Sequence, residues 1–156
     1  KHLAVDERKK IADDIAARVN NIPTDLMMTD EQLIKLHQAG MDIGGHTVTH
    51  PIIAGLNQKT LEKELCENKH YLEKLLKSTI KFFAYPNGKP EVDYKIEQIE
   101  QIKDQKYQAA MSTQWGVSNK SSDIYQLPRF TPWDKTPVKF MIRMIDMYRK
   151  VNVMDI

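Results

Sequence analysis

The sequence predicts an α/β protein built on a largely parallel sheet, and three observations carry that prediction. Short apolar runs at Met41-Asp42-Ile43-Gly44, Ile80 to Tyr85 and Tyr107 to Thr113 alternate with stretches of helical periodicity. Parallel strands need helical crossovers of that kind. Gly40 separates the second helical stretch from the first apolar run, which is the helix–glycine–strand order of an α/β unit. Each run is followed by groups able to do chemistry: the His46 to His50 segment, Tyr85-Pro86-Asn87-Gly88, and Thr113-Gln114-Trp115. Such folds gather function at the C-terminal ends of their strands, so the three segments are expected to form one site.

Each element has its own local reason. A first helix is expected over about Asp6 to Asn20, because Ile11, Ile15 and Val19 recur every four residues among charged neighbours. Asn20-Asn21-Ile22-Pro23 stops it. A second helix starts at Thr29, an N-cap type, and Gln32 three residues on completes a capping box. Leu33, Leu36 and Ile34 are its expected buried stripe, and Gly40 its C′ residue. A third helix runs from about Lys59 to Lys77 with Leu61, Leu65, Leu72 and Leu76 inward. A fourth spans roughly Val92 to Gln105 on Ile96, Ile99 and Ile102. Ser118 to Asp123 reads as a polar loop, and Leu127 to Asp134 as an irregular, proline-rich segment. A last helix, about Pro137 to Val151, opens on proline. Its stripe of Phe140, Met144, Met147, Tyr148 and Val151 is expected in the core, with Lys139, Arg143, Arg149 and Lys150 leaving a membrane-surface helix as the alternative.

Composition narrows the function classes. A chain of 156 residues suits one domain with its own core. A net charge of +2 is too small to argue for nucleic acid or an acidic membrane surface. No apolar run approaches the ~20 residues that span a bilayer, and the charged opening Lys-His-Leu-Ala-Val-Asp-Glu-Arg is not a signal peptide. The compartment stays open between the cytoplasm and the cell envelope. The single cysteine, Cys66, forms no internal disulfide and leaves the redox compartment open.

The densest chemistry lies in Gly44-Gly45-His46-Thr47-Val48-Thr49-His50-Pro51. Imidazole is the commonest neutral metal ligand, and two histidines four apart can reach one ion. A zinc-protease reading needs a helix with glutamate after the first histidine. Thr47 stands in that place, three β-branched residues follow His46, and Pro51 turns His50 away from helical backbone. A strand-end loop is therefore expected. On residue chemistry alone, a metal site and a pair of solvated loop histidines stay open together.

Ile43-Gly44-Gly45-His46-Thr47-Val48-Thr49-His50-Pro51 resembles the second motif of the polysaccharide deacetylases, the NodB-like carbohydrate esterases. Phe82-Phe83-Ala84-Tyr85-Pro86-Asn87-Gly88 resembles their third motif, and Leu127-Pro128-Arg129-Phe130 the region after the later strands. The wording His-Thr-Val-Thr-His-Pro with Phe-Ala-Tyr-Pro-Asn-Gly-Lys-Pro is similar to the exopolysaccharide-biosynthesis branch. The resemblance covers about Leu26 to Asp134. It implies a distorted (β/α) barrel, present here in part, as a single domain that removes acetyl groups from N-acetylhexosamine polymers. It also implies a divalent ion, usually zinc, held by His46 and His50, and an oxyanion held by the backbone N–H of Asn87. Tyr85 and Trp115 are expected either to line a sugar groove or to anchor strand ends. Thr47 and Thr49 are expected to orient the ligands.

Two of the family's motifs find no match. No Thr-Phe-Asp-Asp strand end precedes His46; Asp13-Asp14 sits in a charged helical stretch, and Asp42 reads as a solvated strand residue. No histidine follows Trp133-Asp134 to act as acid, and Ala84 stands where many relatives carry arginine. The chain begins on Lys1, so it is expected to lack the N-terminal part of the barrel, with an open sheet edge able to pair a second copy. Two other functions compete. One is a non-catalytic carbohydrate-binding or scaffold module. The other is a hydrolase of another class that recruits Asp134 or Asp123 to the metal. His2, His37 and His70 are read as helix-surface residues and Cys66 as packing.

Overall fold

The computed structural model describes residues 3, 5–19, 23, 26–130 and 133–154, with the side chains of 5 and 150–154 excepted. The elements in chain order are α1 (Val5–Ala16), α2 (Asp30–Gln38), a 3-10 turn (Ile53–Gly55), α3 (Gln58–Leu76), β1 (Phe82–Ala84), α4 (Ile96–Asp104), β2 (Ala109–Trp115), β3 (Leu127–Arg129) and α5 (Pro137–Met154). The expected features at Asn20-Asn21-Ile22, Thr131-Pro132 and His2, and the side chains of Lys150 and Val151, lie outside the described residues.

The sheet runs in the order β1-β2-β3 and both pairings are parallel. Phe83 faces Ala110 across the first pair and Met111 faces Leu127 across the second. Two expectations change here. Met41 to Gly44 is not a strand: the segment gives the sheet one rung, a parallel bridge from Gly45 to Phe83. The Gly45 N–H donates to the Phe82 carbonyl at 2.8 Å and the Gly45 carbonyl accepts from Ala84 at 2.9 Å. The segment read as irregular, Leu127 to Arg129, is instead a strand. Proline lacks the amide for a ladder bond but is tolerated at a sheet edge, and Pro128 sits on the outermost strand.

The core lies where α3 and α4 cover the sheet. Leu61, Leu65, Leu72 and Leu76 of α3 are buried as expected, with Ile99 and Ile102 of α4, Phe83, Ala110 and Tyr107. Asn57 caps α3 by accepting from the Thr60 N–H at 2.9 Å. Ile96, the first residue of α4, is exposed, whereas Gln98 and Ile99 of the same turn are buried. The capping box of α2 forms as read, with Thr29 and Gln32 each accepting the other's N–H. Gly40 has φ +90, and the bonds Gly40 to His37 and Met41 to Leu36 close a Schellman turn. Leu33 and Ile34 pack on the edge of the core, while Leu36 stays exposed.

Helices α1 and α5 depart from their expected roles. Ile11, Ile15 and Val19 are exposed, so the stripe of the first helix has no cover among the described residues. In α5 the expected core stripe splits. Met147 is buried and Phe140 half-buried, whereas Met144 and Tyr148 face solvent with Val138, Met141, Ile142 and Ile145. Among the described residues, Phe140, Arg143 and Met147 are side chains that attach the helix or are covered. Among the described residues no helix is long and apolar enough to cross a membrane.

Candidate active site at the strand ends

Parallel pairing sends every strand end to the same side. His46 follows the Gly45 rung, Tyr85 to Gly88 follow β1, Trp115 closes β2 and Phe130 follows β3. The three segments expected to share a site thus lie at the same end of the sheet. Both histidines are exposed. Their ring centroids lie 4.7 Å apart at an interplanar angle of 75°. His46 Nδ1 is 2.7 Å from the Ala84 carbonyl oxygen. That contact assigns the proton to Nδ1 and leaves the Nε2 lone pair to face outward, the orientation that metal-ligating imidazoles take.

The loop between the histidines is bent by unusual backbone. Thr47 has φ +64 and His50 φ +54. For a β-branched residue such as Thr47 this is a true outlier, and each left-handed residue of this kind costs roughly 1–3 kcal/mol. Hydrogen bonds hold the bend. The Thr47 hydroxyl donates to the His46 carbonyl at 2.5 Å and accepts the His50 N–H at 3.2 Å. The carboxylate of Glu64 on α3 accepts the N–H groups of Val48 and Thr49 and the Thr49 hydroxyl. Asn68 Oδ1 accepts the His46 N–H at 3.1 Å. Thr47 and Thr49 thus brace the loop backbone and Glu64 and, among the described residues, bond to no imidazole nitrogen.

The second wall is the turn after β1. Asn87 has φ +55 and Gly88 φ +76, so the chain folds back tightly. The Gly88 N–H donates to the Pro86 carbonyl and the Gly88 carbonyl accepts from Thr113, both at 2.7 Å. The Asn87 N–H makes no backbone hydrogen bond among the described residues. Behind this turn Tyr85 is only 2% exposed, stacked on Tyr94 at 3.7 Å between centroids, with its hydroxyl donating to the Tyr125 carbonyl. Burial pushes the Tyr85 hydroxyl well above its ordinary pKa, and that of Tyr94 up to about 12. Of the two roles open to Tyr85, the ring's position is that of a strand-end anchor, with no face turned to a sugar. Trp115 differs: it is 49% exposed and packs edge-on against Phe130.

The carboxylates proposed from the sequence lie elsewhere. Asp13 and Asp14 are exposed on α1, and Asp42 is exposed ahead of Gly44. Asp123 accepts the Tyr125 N–H and the Gln126 side chain, and the Gln126 contact keeps its pKa low. Asp134 takes two bonds from Arg143, at 2.6 and 2.9 Å, which hold its carboxyl below the usual range. Among the described residues no three His, Cys, Asp or Glu side chains converge as a metal cluster. The residues present thus fit two positions of a zinc shell, both nitrogen donors. Sequence reasoning missed Glu64 and Asn68. The available signal was their spacing: they lie one turn apart on α3, flanking the buried Leu65.

The profile of the polysaccharide deacetylase family matches residues 11–110. The chain belongs to the polysaccharide deacetylase family. The match begins within α1, upstream of the motif-bearing stretch, and ends within β2. YxkH of Bacillus subtilis (strain 168), named as a polysaccharide deacetylase, is 24% identical over 102 residues, which are 65% of this chain and 35% of that protein. Among solved structures, the Streptococcus pyogenes deacetylase PplD in complex with acetate superposes with a TM-score of 0.69 at 22% identity, over 77% of this chain and 51% of that one. BC0361, a polysaccharide deacetylase from Bacillus cereus, gives 0.65 at 20% identity, over 80% and 39%. The α/β fold with its parallel sheet is that of these deacetylases. The chain spans about a third of the length of the B. subtilis relative and about half and two fifths of the two solved chains.

Proposed function

We propose that this domain serves the hydrolysis of N-acetyl groups from N-acetylhexosamine polysaccharides, with His46 and His50 as two ligands of a divalent ion, zinc foremost. The observation that carries the reading is the pair of neighbouring imidazoles, 4.7 Å apart between ring centroids, one held at Nδ1 by the Ala84 carbonyl. A zinc ion there would supply carbonyl polarisation and a water of lowered pKa. The rest falls to the chain. The Asn87 N–H, on its left-handed turn after β1, donates to the oxyanion that the acetamide oxygen becomes. Trp115 offers an exposed apolar face to the pyranose ring. Tyr85 fixes the turn from behind, and Thr47 and Thr49 brace the ligand loop. The wording of the two motifs supports the exopolysaccharide-biosynthesis branch, and residues 1–156 are read as belonging to one such domain.

The test is acetate release from N-acetylglucosamine oligomers by the protein as its gene encodes it, with zinc added. Release that disappears in His46→Ala is the expected result. Oligomer binding with no acetate release under any divalent metal would overturn the reading. It would assign the non-catalytic carbohydrate-binding module instead.

A further inference from the structure

The ligand loop is gripped from outside by one helix. Glu64 and Asn68 lie four residues apart on α3 and share a face. Oε2 of Glu64 accepts the Val48 N–H at 2.7 Å and the Thr49 N–H at 2.9 Å, and Oε1 accepts the Thr49 hydroxyl at 2.7 Å. Asn68 takes the His46 N–H. Bonds to an ionised carboxylate are shorter and stronger than neutral ones. The two amides that Glu64 holds lie between Thr47 and His50, the two left-handed residues of the loop. Such backbone persists only where its surroundings over-determine it, and Glu64 supplies three of the bonds that do so.

We propose that Glu64 is a positioning residue of the metal site. Its carboxylate holds the 47–50 backbone so that the His46 and His50 rings converge before an ion arrives, and Asn68 fixes the start of the same loop. The proposal rests on the reading that these histidines bind a divalent ion. Partners that orient metal ligands typically change affinity 10–100-fold when removed.

The experiment is zinc affinity of the purified chain by competition with a chromophoric chelator, with the thermal unfolding midpoint of each metal-free variant measured beside it. Glu64→Ala is expected to weaken zinc binding about tenfold or more with a folded baseline. Glu64→Gln keeps an oxygen able to accept both amides and is expected to restore affinity to within about threefold of wild type. Should Glu64→Ala fail to fold, Glu64→Asp carries the same expectation, since its carboxylate is retracted by one methylene. Wild-type affinity in Glu64→Ala, or equal weakening in Ala and Gln, overturns the proposal. Affinity unchanged in His46→Ala overturns the metal reading itself, and that result is distinct from a failure of Glu64 alone.

Discussion

At Gly45 a single missing methyl decides how close two elements come. A Cβ placed there would lie 2.4 Å from the Tyr107 hydroxyl and 3.0 Å from Asn68 Oδ1, the atom that accepts the His46 N–H. Tyr107 is buried, its hydroxyl finds no hydrogen-bond partner among the described residues, and burial pushes its pKa up. Gly45→Ala is therefore expected to destabilise by about 1–3 kcal/mol through overpacking, measured by urea unfolding. Tyr107→Phe removes an unsatisfied buried hydroxyl and is expected to be neutral or stabilising by up to about 1 kcal/mol. The double variant should recover part of the Gly45→Ala loss, because the two sites share the clash; strict additivity would deny that the hydroxyl is the obstacle. Legibility at this scale followed chemical type. His46 and His50 stand out because few residues ligate metals. Glu64 is one of 21 acidic residues, and its one-turn spacing to Asn68 acquires meaning only where α3 packs beside the loop. The buried place of Tyr85 was equally hidden, since its stacking partner Tyr94 comes from the segment after the turn.

Elements were legible where their signals are local. The capping box at Thr29, the Schellman glycine at Gly40 and the leucine face of α3 depend on residues within a turn or two, and all are present. Strands were less so, because a strand is made by its neighbour. Gly45 gains one rung from Phe83, and Leu127 to Arg129 becomes a strand only beside β2. The attachment of α5 has a similar long-range cause. Arg143 grips Asp134, nine residues earlier, with two bonds and ties the segment after β3 to the helix. The hydrogen bond from Arg143 lowers the folded-state pKa of Asp134. A carboxyl whose folded pKa is depressed contributes stability above its unfolded pKa of about 4. That contribution is lost as pH falls through the lower folded value. Wild type and Asp134→Asn should therefore differ in melting temperature by a constant amount from pH 7 to about 5, and converge in more acid solution. Circular dichroism melts across that range check it; a gap that persists at the acid end would show that the ion pair is not its source.

Across the whole molecule, packing is uneven, and the site stands on its dense part. The buried cluster joins α3, α4 and the sheet, and both walls of the site spring from these elements: the histidine loop from the Gly45 rung and α3, the Asn87 turn from β1 and β2. By contrast the apolar stripe of α1 is exposed, and the helix reaches the site through Arg8, whose Nη1 donates to the His50 carbonyl at 3.5 Å. Local opening costs least where few apolar contacts are buried. Amide hydrogen exchange should thus divide the chain. Amides of 61–76, 82–84, 99–104 and 109–115 should exchange slowly, those of α1 orders of magnitude faster, and those of α5 in between, because Met147 and Phe140 still hold it. Mutations should follow the same map. Leu65→Ala, at a fully buried position, should cost about 2–5 kcal/mol, whereas Ile15→Ala should stay within about 0.5 kcal/mol. Exchange as slow in α1 as in α3 would mean that the exposed stripe is covered in solution. Ile15→Ala would then have to cost as much as a core substitution, so the two measurements bind each other.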